Sequence, residues 1–264
     1  MNRLIAITGL LLACCAIAPC SAQERADQSL APVPKACETP GVEVVSNSPL
    51  PNIFTALKER RKINILVIGT TSASLRGPAS GDHFATVERF LEAMFKGLDV
   101  TIVHRGVSGE LAADAAERIQ NEVALNSTDL VLWQLGTADA LAQVPIIDFR
   151  ASVTRAVEWL KSHNVDLILV GLRYTRSMSR DANYQATRQA IMGIAKDQNV
   201  LRLGLYEAQE TLEQIRQGRG VVLSEIEATE SDYACMGEYL ARAIAAGLFI
   251  RQGPMKLPAT RKEP

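Results

Sequence analysis

The chain is 264 residues long, with 47% of them hydrophobic and 22% charged. That mixture excludes an intrinsically disordered or low-complexity chain and supplies one well-buried domain of the larger kind. Lys+Arg total 28 against 29 Asp+Glu, a net charge of −1, so no basic field exists to gather nucleic acid or an anionic membrane.

Residues 1–22 read as an export leader. Arg3 supplies a positive start, 4–18 is an apolar run broken only by Thr8 and Gly9, and Cys20-Ser21-Ala22 offers small residues for cleavage before Gln23. The run ends at Pro19, short of the about 20 residues that a membrane span needs. The expected location is the periplasm, with no membrane span in the mature chain. A lipoprotein is the alternative, Leu11-Leu12-Ala13 leading to a lipidated Cys14. Loss of the leader removes Cys14, Cys15 and Cys20 and keeps Cys37 and Cys235. Two thiols in an oxidising compartment most simply pair; two buried free thiols are the other reading.

Residues 23–51 are rich in Pro, Ser, Ala and charge without a sustained period, which predicts an extended arm. The domain follows at 52–250. Ile63-Asn64-Ile65-Leu66-Val67-Ile68, ending at Gly69, predicts a buried strand; 84–95 places Phe84, Val87, Phe90, Leu91 and Met94 at helical spacing. Further strands are expected at 100–103, 130–135, 167–172 and 201–206, and further helices at 111–125, 147–163, 182–197 and 232–249. Strands that are apolar throughout and alternate with helices indicate a parallel sheet covered on both faces. The expected strand order is 2-1-3-4-5. The tail at 251–264 carries Pro254, Pro258 and Pro264 and reads as disordered.

In such sheets chemistry gathers at the carboxyl ends of the strands. The segments there are Gly69-Thr70-Thr71-Ser72-Ala73-Ser74, then Val103-His104-Arg105-Gly106-Val107-Ser108-Gly109-Glu110-Leu111-Ala112-Ala113-Asp114, then Trp133-Gln134-Leu135-Gly136-Thr137-Ala138-Asp139-Ala140-Leu141. In order and spacing they resemble the first three blocks of the SGNH/GDSL hydrolases. The likeness is to bacterial members that read G-S-S-S-T, V-N-R-G-x-x-G-E-T-A-A-D and W-Q-x-G-T-N-D-A-L. The resemblance implies a flavodoxin-like three-layer α/β/α sandwich with a parallel sheet of about five strands. It also implies hydrolysis of ester or acetyl groups on small molecules or glycans, without a cofactor.

Carried over residue by residue, the resemblance puts Thr71 where the family has its nucleophilic serine, with Ser72 one residue on. Of the oxyanion donors it keeps the glycine of the second block, Gly109, and puts Ala138 in place of the asparagine of the third. The last block of those members reads D-G-L-H-M-N-D-x-G-Y-x-C. Setting its Tyr and Cys on Tyr233 and Cys235 puts Ser224 in place of the aspartate and Glu227 in place of the histidine. An alternative register takes Asp232-Tyr233-Ala234-Cys235 as the block, with Cys235 at the histidine position. No histidine follows His163 in either register.

His83 stands at a helix start, His104 at the end of the second strand and His163 at a helix end. No ligand-type spacing joins them to carboxylates, so no metal is expected. Arg173 and Arg176 follow the fourth strand, with Arg180 shortly after; guanidinium forks there suit a carboxylate or phosphate, and salt bridges in a solvated loop are the competing account. Arg105 reads as structural. Two functions stay open. One is a noncatalytic SGNH-fold protein that binds a small ester-, acyl- or glycan-like ligand or a protein partner in the old cleft. The other is an ester or acyl hydrolase with Thr71 or Ser72 as nucleophile and Glu227 as base, its pKa raised by burial.

Overall fold

A computed structural model describes residues 33–69, 82–223 and 225–250. The leader, the first part of the arm, the loop carrying Thr71, Ser72 and Arg76, Ser224, and the tail lie outside the described residues. Five parallel strands form the sheet: β1 (Lys62–Gly69), β2 (Asp99–Gly106), β3 (Leu130–Gln134), β4 (Asp166–Val170) and β5 (Leu201–Leu203), in the expected order β2-β1-β3-β4-β5. The period of two explains its double burial. Ile63, Ile65 and Val67 face one apolar cluster with Leu132 and Ile168, while Leu66 and Ile68 face a second with Val131, Trp133 and Leu169.

Helices α1 (Pro51–Glu59), α2 (Asp82–Met94) and α8 (Glu225–Phe249) cover the first face; α3 (Ala112–Asn126), α5 (Ile146–Ser162) and α6 (Ala182–Asp197) cover the second. Two further helices, α4 (Thr137–Leu141) and α7 (Leu205–Gly218), follow β3 and β5. No helix among the described residues is long and apolar enough to cross a membrane.

Several elements depart from the sequence reading. The fifth strand stops at Leu203, because Gly204 opens α7, and Leu205, Ala208 and Leu212 bury themselves at helical spacing. The alternation of Leu201 to Tyr206 concealed that switch of period. Helix α8 starts at Glu225, well before Asp232. The arm does not run extended through 51: a 3-10 turn spans Lys35–Cys37, Val45 bridges antiparallel to Leu203, and Pro51 opens α1. Proline suits that first position, where its missing N–H costs nothing.

No local side chain caps α1, since its N-cap is Leu50. Asp166, at the start of β4, does so instead. Its Oδ2 accepts the backbone N–H groups of Asn52 and Ile53, and its Oδ1 accepts the Asn52 side-chain amide, each at 2.9 Å. Burial nevertheless pushes the Asp166 carboxyl up to about 7, against the pull of those donors. A carboxyl whose pKa is raised on folding binds more protons folded than unfolded between its unfolded value near 3.8 and about 7. Its contribution to stability therefore falls as pH rises through that window. Asp166→Asn keeps an acceptor for the backbone, and Asn52 can turn its amide to offer oxygen. Relative to wild type, Asp166→Asn should gain stability as pH rises through the window, read as the difference in unfolding midpoint between the two proteins. Asp166→Ala should lose the cap, about 1–2 kcal/mol. Its deficit against wild type should be largest at the acid end of the window and shrink as pH rises, since it too lacks the titrating carboxyl. An Asn variant that loses ground with rising pH would refute the raised carboxyl.

Candidate functional site

Strands β1, β2 and β3 end at one carboxyl edge, where Gly69, the described residue of the first block, lies beside the second and third blocks. Strand β1 ends at Gly69, with φ at +138°; a Cβ there would lie 2.3 Å from the Gln134 carbonyl oxygen, so only glycine lets the two strands pass. The Val107 N–H donates to the Gly69 carbonyl at 2.9 Å, carrying the ladder into the second block. Gly109 turns the chain there with φ at +72°.

Around that turn lies a chain of ion pairs. Arg118 grips Glu110 with both ends of its fork, at 2.7 and 2.6 Å, and donates to the Arg105 carbonyl at 2.9 Å. Arg105 in turn pairs with Glu122 at 3.0 Å. The hydrogen bond to Glu110 raises the Arg118 pKa further, so the guanidinium stays charged. These contacts hold the second block to α3, and Arg105 is occupied in doing so.

The third block runs from β3 into α4. Ala138 lies in the first turn of α4 and presents only a methyl group. Asp139, beside it, is buried, and its Oδ1 accepts the Ala112 N–H at 2.9 Å. Since Leu111 provides no side-chain cap for α3, Asp139 supplies it from across the cleft and ties the third block to the second. Its Oδ2 has no partner, and burial raises its pKa. The motif places Asp139 in its block without assigning it a role. The three-residue offset from Gly136 was the available signal, and only the fold shows which backbone it caps.

The amino end of α8 reaches the same edge. Glu227 falls in its first turn, with a side chain outside the described residues. Of the alternative register, Asp232 is paired with Arg216 at 3.1 Å, and Cys235 is joined to Cys37 in a disulfide with Cα atoms 5.3 Å apart. A disulfide sulfur has no proton to move, so Cys235 has no acid–base role in place of a histidine.

Among the histidines, His104 faces Val67 in register and sets its ring edge-on to Phe84 at 4.4 Å, where burial lowers its pKa. His163 caps the end of α5, stacks on Trp159 at 4.0 Å and lies just before β4, at the opposite edge of the sheet. His83 is in the first turn of α2, its side chain outside the described residues. No group of three or more His, Cys, Asp or Glu among the described residues is placed to hold a metal ion.

The structure separates the two arginines singled out by sequence. Arg176 is ion-paired with Glu213 of α7. It also lines, with Tyr174, Ser177, Ser179, Arg180 and Gln217, an open polar depression of about 520 Å³. Arg173 instead lies over the ring of Tyr233, its Cζ 5.3 Å from the ring centroid, with a buried Nε that has no hydrogen-bond partner. The backbone of Arg173 is held by Tyr184, whose hydroxyl donates to its carbonyl at 2.6 Å.

The model of the Non-GDSL lipase-like family matches residues 36–249. Among solved structures, a catalytic mutant of Axe2, an acetylxylan esterase from Geobacillus stearothermophilus, is 19% identical over 69% of this chain and 94% of its own, with a TM-score of 0.55. TesA is 17% identical over 68% of this chain and 99% of its own, with a TM-score of 0.53. The acetyl xylan esterase AlAXEase is 15% identical over 69% of this chain and all of its own, also with a TM-score of 0.53. At such identities the likeness shows a shared fold. No curated protein matches the chain.

Proposed function

The chain belongs to the Non-GDSL lipase-like family and has the SGNH/GDSL hydrolase fold, and from that premise we propose that it is an exported, noncatalytic binding protein. In this reading the cleft at the carboxyl edge holds a small ester-, acyl- or glycan-like ligand or a protein partner. The leader at 1–22, the arm at 23–51, the domain at 52–250 and the tail at 251–264 are its parts.

The observation that carries the proposal is the absence of an imidazole for the last block: no histidine follows His163, and Glu227 stands at the corresponding place. Hydrolases of the serine type rely on that ring to take the hydroxyl proton and return it to the leaving group. Three other substitutions point the same way. Thr71 carries a methyl beside its hydroxyl, Ser224 offers no carboxylate to orient a base, and the methyl of Ala138 provides no oxyanion donor. Loss of one such donor typically costs about 10²–10³-fold in turnover. The Cys37–Cys235 bridge supports an oxidising compartment.

Purified protein should therefore hydrolyse p-nitrophenyl acetate no faster than its Thr71→Ala variant and should take no covalent label from a fluorophosphonate probe. A rate abolished by Thr71→Ala or Glu227→Gln would replace the binding reading with a hydrolase that uses Thr71 as nucleophile and Glu227 as base.

A further inference from the structure

The geometry points to Arg173 as the anchor for an oxyanion, so that the ligand of the cleft carries a carboxylate or phosphate group; this deepens the binding reading and rests on it.

Arg173 follows β4 at the carboxyl end of the sheet, with its guanidinium over the ring of Tyr233 in α8. Four nearby guanidiniums already have an acid, and Arg180, on the rim of the open depression, is exposed. Arg176 is paired with Glu213, Arg216 with Asp232 at 3.1 Å, and Arg188 and Arg202 share Glu207 at 3.0 and 3.1 Å. Arg173 has none among the described residues. Asp232 is near enough to feel its charge, but that carboxylate is bonded to Arg216. Tyr184 and Tyr233 fix its backbone and flank its head without neutralising it.

A guanidinium is always charged, and its planar fork matches a carboxylate or phosphate through two parallel hydrogen bonds. A buried donor without an acceptor is uncommon and calls for an explanation. Here the aromatic face supports the cation at one side while its buried Nε–H has no acceptor. A ligand oxyanion completes the set. The ester or acyl chemistry expected of the cleft is compatible with such a group elsewhere on the same molecule.

Side-chain ¹H–¹⁵N spectra of arginine Nε–H groups test this directly, with sodium acetate and sodium phosphate titrated separately at constant ionic strength. The resonance absent from Arg173→Lys identifies Arg173. It should shift saturably, and the affinity read at the Arg216 resonance should weaken by about tenfold in Arg173→Lys, since lysine keeps the charge but loses the fork. Arg180→Gln should leave it unchanged. Tighter binding of acetate names a carboxylate ligand; tighter binding of phosphate names a phosphorylated one. A shift that never saturates, equal shifts at Arg176 and Arg180, or undiminished affinity in Arg173→Lys would each overturn the assignment. None of these readouts involves turnover. A finding of esterase activity would remove the noncatalytic reading while leaving the anion site measurable, and a failed titration would leave the activity test untouched.

Discussion

Replacing both Cys37 and Cys235 by alanine should lower the unfolding temperature by roughly 10 °C, and reductant should bring the wild-type protein down by the same amount while leaving the variant unmoved. The bridge closes a sequence separation of 198 residues. In the chain-entropy description a loop of that length loses about 5 kcal/mol of denatured-state freedom, an upper figure, with measured bridges nearer 2–4. For a domain of this size each kcal/mol moves the midpoint by about 2–4 °C. The folded state should survive the loss, because other contacts hold the arm. The Tyr239 hydroxyl donates to the Cys37 carbonyl at 2.6 Å. Ser46 exchanges hydrogen bonds with Arg202, its N–H reaching the carbonyl at 3.0 Å and its Oγ accepting the amide at 2.7 Å. Gly204 donates to the Val44 carbonyl. The arm thus covers the open edge of β5, which would otherwise invite pairing with another chain. An unchanged midpoint in the double variant would show that the thiols do not pair.

Rebuilding the whole hydrolytic set should create activity where single changes do not. Thr71→Ser alone should leave p-nitrophenyl acetate turnover at the wild-type level. Thr71→Ser, Ala138→Asn, Ser224→Asp and Glu227→His together should raise it by at least about 10²-fold, because nucleophile, base, orienting carboxylate and oxyanion donor act as a unit. Full family rates are not expected, since the contacts that hold each new group would still be those of this chain. The expectation depends on the register that places Glu227 at the histidine position. A quadruple variant no better than wild type would refute that register, and an equal gain from Thr71→Ser alone would refute the loss of the base.

Much of this could be read from the chain itself. Continuous apolar runs such as Leu130 to Leu135 announce strands buried on both faces, and the helical spacing of Phe84, Val87 and Leu91 announces the layer above them. Motif order placed Gly109 and Ala138 at one sheet edge. The cysteine count after residue 22 leaves only Cys37 and Cys235 to pair. These are local or nearly local signals, in which each residue type carries its own physical preference.

Other features exist only once the chain has folded. Helix α1 is capped by Asp166, more than a hundred residues away, and α3 by Asp139 from the facing block. Neither helix has a capping side chain at its own start, so neither cap could be read locally. Arg173 and Arg176 look alike in sequence, three residues apart in one loop. Glu213 comes within reach of one and Tyr233 of the other because α7 and α8 pack where they do. Whether a cation is spent on a salt bridge or left open to a ligand is set by which side chains close around it, and that choice belongs to packing between distant segments.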